Sequence, residues 1–250
     1  INQDKINKIK KNISYISDLK NSDLKKIDKR NIFSMQELQS INKIDYLIFC
    51  LPTPLNINYE PDMSLIKDAF ESIKPYLKKN QTIILESTVY PGATKEIFYN
   101  YLSKKLILGK NFYLCYSSER ISPGQNNKKE FKFFLENTTK VISGYSNACL
   151  LKINFLYKKI FKYLFLSQSI EIAEMSKLVE NSYRSVNIGL VNELKTICYK
   201  IGLNIHEVLR TAASKPFGFN MFKPGPGVGG HCIPIDPVFI DWVAKKNNIR

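Results

Sequence analysis

From Asp45 onward the apolar positions keep changing period. Tyr46–Leu51 is a short unbroken apolar run of the length of a buried strand. After Asp62, Leu65, Ile66, Ala69, Phe70, Ile73 and Leu77 fall at helical spacing, so a helix with one apolar face is predicted next. The cycle continues with strand Thr82–Leu85, helix Thr94–Leu102, strand Phe112–Tyr116, strand Lys140–Ser143, helix Asn147–Phe161 and strand Tyr163–Leu166. Strands alternating with helices predict an α/β fold, a partial Rossmann-like, doubly wound parallel sheet. Such a sheet holds ligands beyond the carboxyl ends of its strands, which here means the loops Pro52–Leu55, Ser87–Gly92 and Ser117–Gly124.

Ile170–Ile201 contains no proline and one glycine, and its apolar residues keep helical intervals, so one long helix is expected, stopped by Gly202. A short helix around His206–Ala213 follows, then a Gly/Pro-rich loop from Lys215 to Asp236. A last helix is expected, with Asp236 as its cap and Pro237 in its first position. The chain divides into residues 1–169, a partial dinucleotide-binding domain, and 170–250, a connecting helix and the start of an all-helical middle domain. A dinucleotide fold also needs an opening strand, a glycine turn and an acidic residue about 20 positions later. Asn2–Lys11 reads as the helix after the second strand, so those features are expected upstream of Ile1.

The chain carries 37 Lys and Arg against 22 Asp and Glu. That excess lies in Lys/Asn/Ile-rich stretches such as 2–26 and 152–162, spread over solvated faces. Binding of nucleic acid is not expected, because no single groove combines basic and aromatic residues. Five cysteines, widely spaced and without a Cys-x-x-Cys pair, suggest neither a disulfide framework nor zinc. With two histidines in all, no metal site is expected. No run is long enough to span a bilayer, and a soluble cytoplasmic protein is expected.

The sharpest local feature is PGPGVGGHCIPIDP, Pro224–Pro237. Four glycines and four prolines around one cysteine make a rigid loop that lets a ligand approach the backbone. Cys232 lies shortly before a helix start, where the dipole favours a thiolate. It reads equally well as a nucleophile or as a small buried hydrophobe in a structural turn. His231, adjacent in sequence, is poorly placed to serve as the thiol's base. Lys177, Asn181 and Arg184 share a face of the long helix, where Lys and Asn could stabilise an oxyanion, or simply form a solvated face with Glu174 and Glu180. In ESTVYPG, Ser87 and Thr88 either present hydroxyls to a ligand or cap a turn. In SSERISPG, Glu119 could act on water as a base, or pair with a cation such as Arg120 at the loop's foot.

Taken together, CLPTP (Cys50–Pro54), ESTVYPG (Glu86–Gly92), SSERISPG (Ser117–Gly124), AEMSKLVENSYRSVNIGLVNEL (Ala173–Leu194) and the Cys232 loop resemble, in the same order, the UDP-glucose/GDP-mannose dehydrogenase family. SKPFGF at Ser214–Phe219 is most similar to the UDP-N-acetylglucosamine branch, with UDP-glucose and UDP-N-acetylmannosamine enzymes as alternatives. The resemblance implies NAD as cofactor and oxidation of a sugar C6 alcohol to a uronate through a thiohemiacetal and a thioester on Cys232. It assigns catalysis to Cys232, Lys177, Asn181, Asp236, Glu119 and Thr88. Leu51, Thr53, Ser87 and Thr88 would line the nicotinamide side. Glu119, Arg120, Lys177, Asn181, Arg184, Phe222, Gly225, Gly227, Gly229 and Gly230 would hold the UDP-sugar, and the long helix would pair two subunits.

Departures bear on the sugar. The second acid that UDP-glucose enzymes carry four residues after Glu119 is Pro123 here, and their cross-subunit arginine has no counterpart at Pro216. The family's carboxyl-terminal domain does not follow before Arg250. A function of a different class, a folded remnant or binding module without turnover, therefore stands beside the enzyme, and flanking sequence would separate the two.

Overall fold

Alternation along each strand decides which helices cover it. The computed structural model describes residues 3–16, 19–26, 35–104, 106–120, 137–230 and 233–249. Strands β1 (Tyr46–Phe49), β2 (Thr82–Leu85), β3 (Tyr113–Ser117), β4 (Lys140–Gly144) and β5 (Leu164–Leu166) form one sheet in the order β1-β2-β3-β4-β5. Five strands stand within two residues of where the apolar runs predict them.

Their directions hold one correction to the parallel sheet. β1, β2 and β3 are mutually parallel, as are β4 and β5, but β3 and β4 are antiparallel, with Tyr116 opposite Ser143 and Ser117 opposite Ile142. The periodicity put no helix between β3 and β4, and a parallel neighbour needs a crossover, usually a helix. The reversal carries Lys140, the first residue of β4, to the edge where β1, β2 and β3 end.

Among the helices, α1 (Gln3–Lys10) and α2 (Asn21–Leu24) precede the sheet in the chain. One sheet face presents Leu47, Phe49, Ile83, Leu85, Leu114, Tyr116 and Val141 to a core shared with α3 (Ser64–Ile73), α4 (Asn100–Leu102) and, over β3 and β4, the first turns of the long helix from Ile170. The expected helix Thr94–Leu102 is wound wider at its start, as a π-helical turn over Lys95–Tyr99 that runs into α4. Phe98 lies edge-on to both Phe49 and Phe70, at centroid separations of 5.0 and 4.7 Å. Each such pair contributes about 1 kcal/mol beyond simple burial.

The opposite face presents Ile84, Cys115 and Ile142 to Cys149, Ile153 and Tyr157 of α5 (Asn147–Tyr157). α5 crosses β4 so closely that a Cβ on Gly144 would lie 2.3 Å from the Leu150 amide nitrogen. Only glycine permits that approach.

α6 (Ile170–Lys200) starts at Ser169, whose hydroxyl caps the Ile172 amide, and stops at Gly202, whose φ of 75° ends it as expected. Its first half packs on the sheet. Its second half joins α7 (Ile205–Ala212) and Phe222 in a separate small core of Val191, Cys198, Ile205 and Leu209. α8 (Asp236–Lys246) returns against α6. Here a second expectation fails: Ile235 holds the cap position, with no side-chain cap hydrogen bond, and Asp236 is already helical. Among the described residues no helix is long and apolar enough to cross a membrane.

Candidate active site

A cavity of about 340 Å³ opens at the carboxyl ends of β1, β2 and β3. Its walls are Cys50, Leu51, Pro52 and Thr53 after β1, Glu86, Ser87 and Thr88 after β2, Glu119 after β3, and Ile235 with Asp236 at the start of α8. This is where a doubly wound sheet keeps its ligand, and the volume is that of a small-molecule site.

The first two loops are laced together. Ser87 Oγ accepts from the Leu51 amide at 3.0 Å and donates to the Leu51 carbonyl at 2.7 Å, while Thr53 Oγ1 donates to the Thr88 carbonyl at 2.7 Å. Ser87, expected either to meet a ligand or to cap a turn, thus holds the two loops in shape together with Thr53. Leu51, Thr53, Ser87 and Thr88 together form a shelf of the cavity wall.

Below the shelf lies a charged cluster. Lys140, whose side chain is only 5% exposed, sits 3.4 Å from Glu86 Oε2 and 3.3 Å from Glu119 Oε2. Tyr157 on α5 donates its hydroxyl hydrogen to the other oxygen of Glu86, and the Arg120 amide donates to Glu119 Oε1 at 2.6 Å. Burial first, then the Glu86 charge, holds the Tyr157 hydroxyl well above its usual range. The same two causes push the Cys50 thiol up to about 11, so at neutral pH Cys50 is a thiol rather than a nucleophilic thiolate.

The predicted face of α6 turns toward α8. Asn181 is fully buried; its amide nitrogen donates to Asp236, and its carbonyl oxygen accepts from Arg184. Lys177, one turn earlier, is also buried. Both groups of the Asn181 amide are thereby oriented. Arg120, expected on the sugar, pairs its guanidinium with Glu180 on α6 and donates to the Thr139 carbonyl at 3.0 Å. It clamps the helix to the sheet.

The glycine-rich stretch runs along α6. Phe222 meets the Tyr183 ring edge-on at 5.8 Å, and the Gly225 amide donates to Asn192 Oδ1 at 2.9 Å. Gly227 has open space around it, and Gly229 and Gly230 take positive φ values of 53° and 83°. His231, Cys232 and residues 121–124 of the third loop lie outside the described residues. Ile235 and Asp236, three and four positions after Cys232, are on the cavity wall. Of the four described cysteines, Cys115, Cys149 and Cys198 are buried.

Sequence reasoning passed over Glu86, Lys140 and Tyr157. Glu86 opens ESTVYPG at a strand end and could have been flagged for that position. Lys140 could not, because a parallel β4 would put it at the far edge. Glu174 was singled out only as part of a polar face. It is fully buried and accepts from the Gly92 amide at 2.6 Å, the Thr94 amide at 2.9 Å and the Thr94 hydroxyl at 2.6 Å, so it anchors the end of the second loop to α6.

Comparison with known proteins falls on the same elements. The chain is 36% identical to the UDP-N-acetyl-D-glucosamine 6-dehydrogenase of Pseudomonas aeruginosa over 98% of its own length and 57% of that protein's. It is 39% identical to the UDP-N-acetyl-D-mannosamine dehydrogenase of Methanocaldococcus jannaschii over 83% of its length and 46% of that protein's. The solved UDP-N-acetyl-mannosamine dehydrogenase of Staphylococcus aureus superposes with a TM-score of 0.76 at 32% identity, covering 99% of this chain and 58% of that one. The chain thus spans about half the length of the relatives it matches. Residues 1–161 match the model of the NAD binding domain and residues 171–250 that of the central domain of the UDP-glucose/GDP-mannose dehydrogenase family, and the chain belongs to that family.

Proposed function

We propose that the full-length protein oxidises the C6 alcohol of a UDP-linked N-acetylhexosamine to the uronate, using two NAD in turn and Cys232 as covalent nucleophile. Residues 1–169 serve as the cofactor domain and 170–250 as the connecting helix and catalytic middle domain. One contact carries this reading: the Asn181 amide donates to Asp236 on the cavity wall, four residues after Cys232. It joins the oxyanion face of α6 to the cysteine loop at the sheet edge where a dinucleotide belongs.

The shelf of Leu51, Thr53, Ser87 and Thr88 would hold the nicotinamide end of NAD, its two loops fixed by the Ser87 and Thr53 hydrogen bonds at the carboxyl ends of β1 and β2. When bound there, NAD accepts hydride from the sugar C6. Lys177 and Asn181 stabilise the oxyanion on C6, and Asp236 assists proton transfer. Cys232 captures the aldehyde as a thiohemiacetal and becomes a thioester after the second oxidation. Glu119, helped by Thr88, takes a proton from the water that releases the uronate. Phe222, Gly225, Gly227, Gly229 and Gly230 hold the sugar and phosphates. Arg184 acts through Asn181, and Arg120 through its clamp on α6.

UDP-N-acetylglucosamine is the favoured sugar. UDP-N-acetylmannosamine is the second reading, supported by relatives named for it. The reaction belongs in the cytoplasm, where thiols stay reduced, and the exposed stripe on α6 pairs two subunits. The test is NAD reduction by the full-length protein with UDP-N-acetylglucosamine, UDP-N-acetylmannosamine and UDP-glucose. Two NADH per uronate, fastest with the first, are expected. Uronate made at the normal rate by Cys232→Ser removes the covalent mechanism.

A further inference from the structure

We infer that Lys140 is a positioning residue for the hydrolytic half of the proposed reaction: it bridges Glu119 to Glu86 and fixes the base against the cavity wall. The inference rests on the reading of Glu119 as the base that acts on water.

Three observations converge on it. Continuing the β3–β4 pairing two residues beyond Ser117 and Ile142 sets Lys140 opposite Glu119, so the antiparallel strand delivers the ammonium to this edge. The Glu119 side chain is 44% exposed and faces the cavity, whereas Lys140 and Glu86 beneath it are 5% and 15% exposed. The Lys140 ammonium lies 3.3 Å from one Glu119 oxygen, and the Arg120 amide donates to the other at 2.6 Å.

A base must stay within hydrogen-bond reach of the proton it takes, and a glutamate at a strand end has free rotors unless its head is held. A cation beside a carboxylate also favours its proton-accepting form. Without Lys140, Glu86 and Glu119 would be two carboxylates facing each other across the gap the cation fills. The step so served is balanced within the chain. The water oxygen bonds to the thioester carbon and the carbon–sulfur bond breaks, its electron pair going to Cys232. Glu119 takes a water proton, and the uronate leaves.

The experiment compares Lys140→Met, Lys140→Arg and Glu119→Gln in the full-length protein, by intact mass of acid-quenched enzyme, first-turnover NADH and steady-state kinetics. In K140M we expect a covalent sugar adduct to accumulate with the first-turnover NADH intact. Its kcat should fall at least about tenfold while kcat/KM stays within about threefold, the pattern of a slowed last step. E119Q should do the same, and K140R should restore kcat to within about threefold. If E119Q accumulates adduct and K140M does not, the role of Lys140 is overturned. If E119Q accumulates none, the reading of Glu119 fails instead. Should K140M not fold, Glu86→Gln, which removes the anchor and keeps the lysine, is read in the same way: adduct accumulation supports the bridge and its absence overturns it.

Discussion

Thr94 donates its hydroxyl hydrogen at 2.6 Å to the carboxylate of Glu174, a residue 80 positions further along the chain. With the amides of Gly92 and Thr94 on the same carboxylate, the bond ties the loop after β2 to the long helix α6. Burial pushes the Glu174 carboxyl up from 4.5 to about 7, against the opposing pull of those three donors. A carboxyl raised in the folded state adds stability that is complete below pH 4.5 and lost as pH rises through 7. At 1.36 kcal/mol per pH unit, that is roughly 3 kcal/mol. Chemical unfolding of wild type and Glu174→Gln at pH 5 and pH 7.5 should therefore show the wild type losing more stability than the variant. Parallel losses would mean that Glu174 ionises in the folded protein as freely as in the unfolded one.

Asn181 connects Asp236 and Arg184, and Asn181→Ala would leave the nearly buried Asp236 carboxylate without that donor. Removing one partner from a buried charged group costs its desolvation, about 3 kcal/mol here. Urea unfolding should register a loss of that size, whereas an exposed helix position such as Lys195 changed to Ala should shift stability by less than about 0.5 kcal/mol. A cost below about 1 kcal/mol would show that water replaces the amide and that the contact does not join helix to loop.

Cys50 is exposed and lines the cavity, yet its thiol is pushed up to about 11. Alkylation requires the thiolate, so iodoacetamide at pH 7.5 should leave Cys50 largely unmodified. Peptide mapping should find Cys232 modified at least about tenfold faster, as expected of the nucleophile in the proposed reaction. Faster labelling at Cys50 would reverse the assignment of the nucleophile.

Much of the fold was legible because short apolar runs of strand length have few other solutions. Tyr46–Leu51 and Thr82–Leu85 sit within two residues of the observed strands. Strand direction was ambiguous, since apolar periodicity is the same either way and only the lack of a predicted helix between β3 and β4 bore on it. That one ambiguity hid the proximity of Lys140 to Glu119. The face Lys177/Asn181/Arg184 follows from helical spacing alone, but its partner Asp236 was read as a cap because Asp before Pro is common at helix starts. Buried Asn181 offers that carboxylate a donor, and the chain enters α8 at Ile235 instead. Ser87 and Thr53 illustrate a further limit: a hydroxyl at a strand end looks the same in sequence whether it meets a ligand or the next loop.

Along α6 the exposed apolar residues Val179, Tyr183, Val186, Leu190, Leu194 and Ile197 are spaced by four, three, four, four and three positions. Steps of three and four are the spacing by which one helix packs against another. Val186, 69% exposed, sits within this stripe and outside the cavity lining. A contiguous apolar stripe of this length is costly to leave in water, and a second copy of α6 crossing the first would cover it. A charge placed there would be buried without a partner in the dimer and solvated in the monomer. Val186→Glu in the full-length protein should therefore halve the mass measured by light scattering after gel filtration and leave the helical circular dichroism of the monomer close to wild type. A mass unchanged from a dimeric wild type would place the subunit contact elsewhere, and a monomeric wild type would remove it.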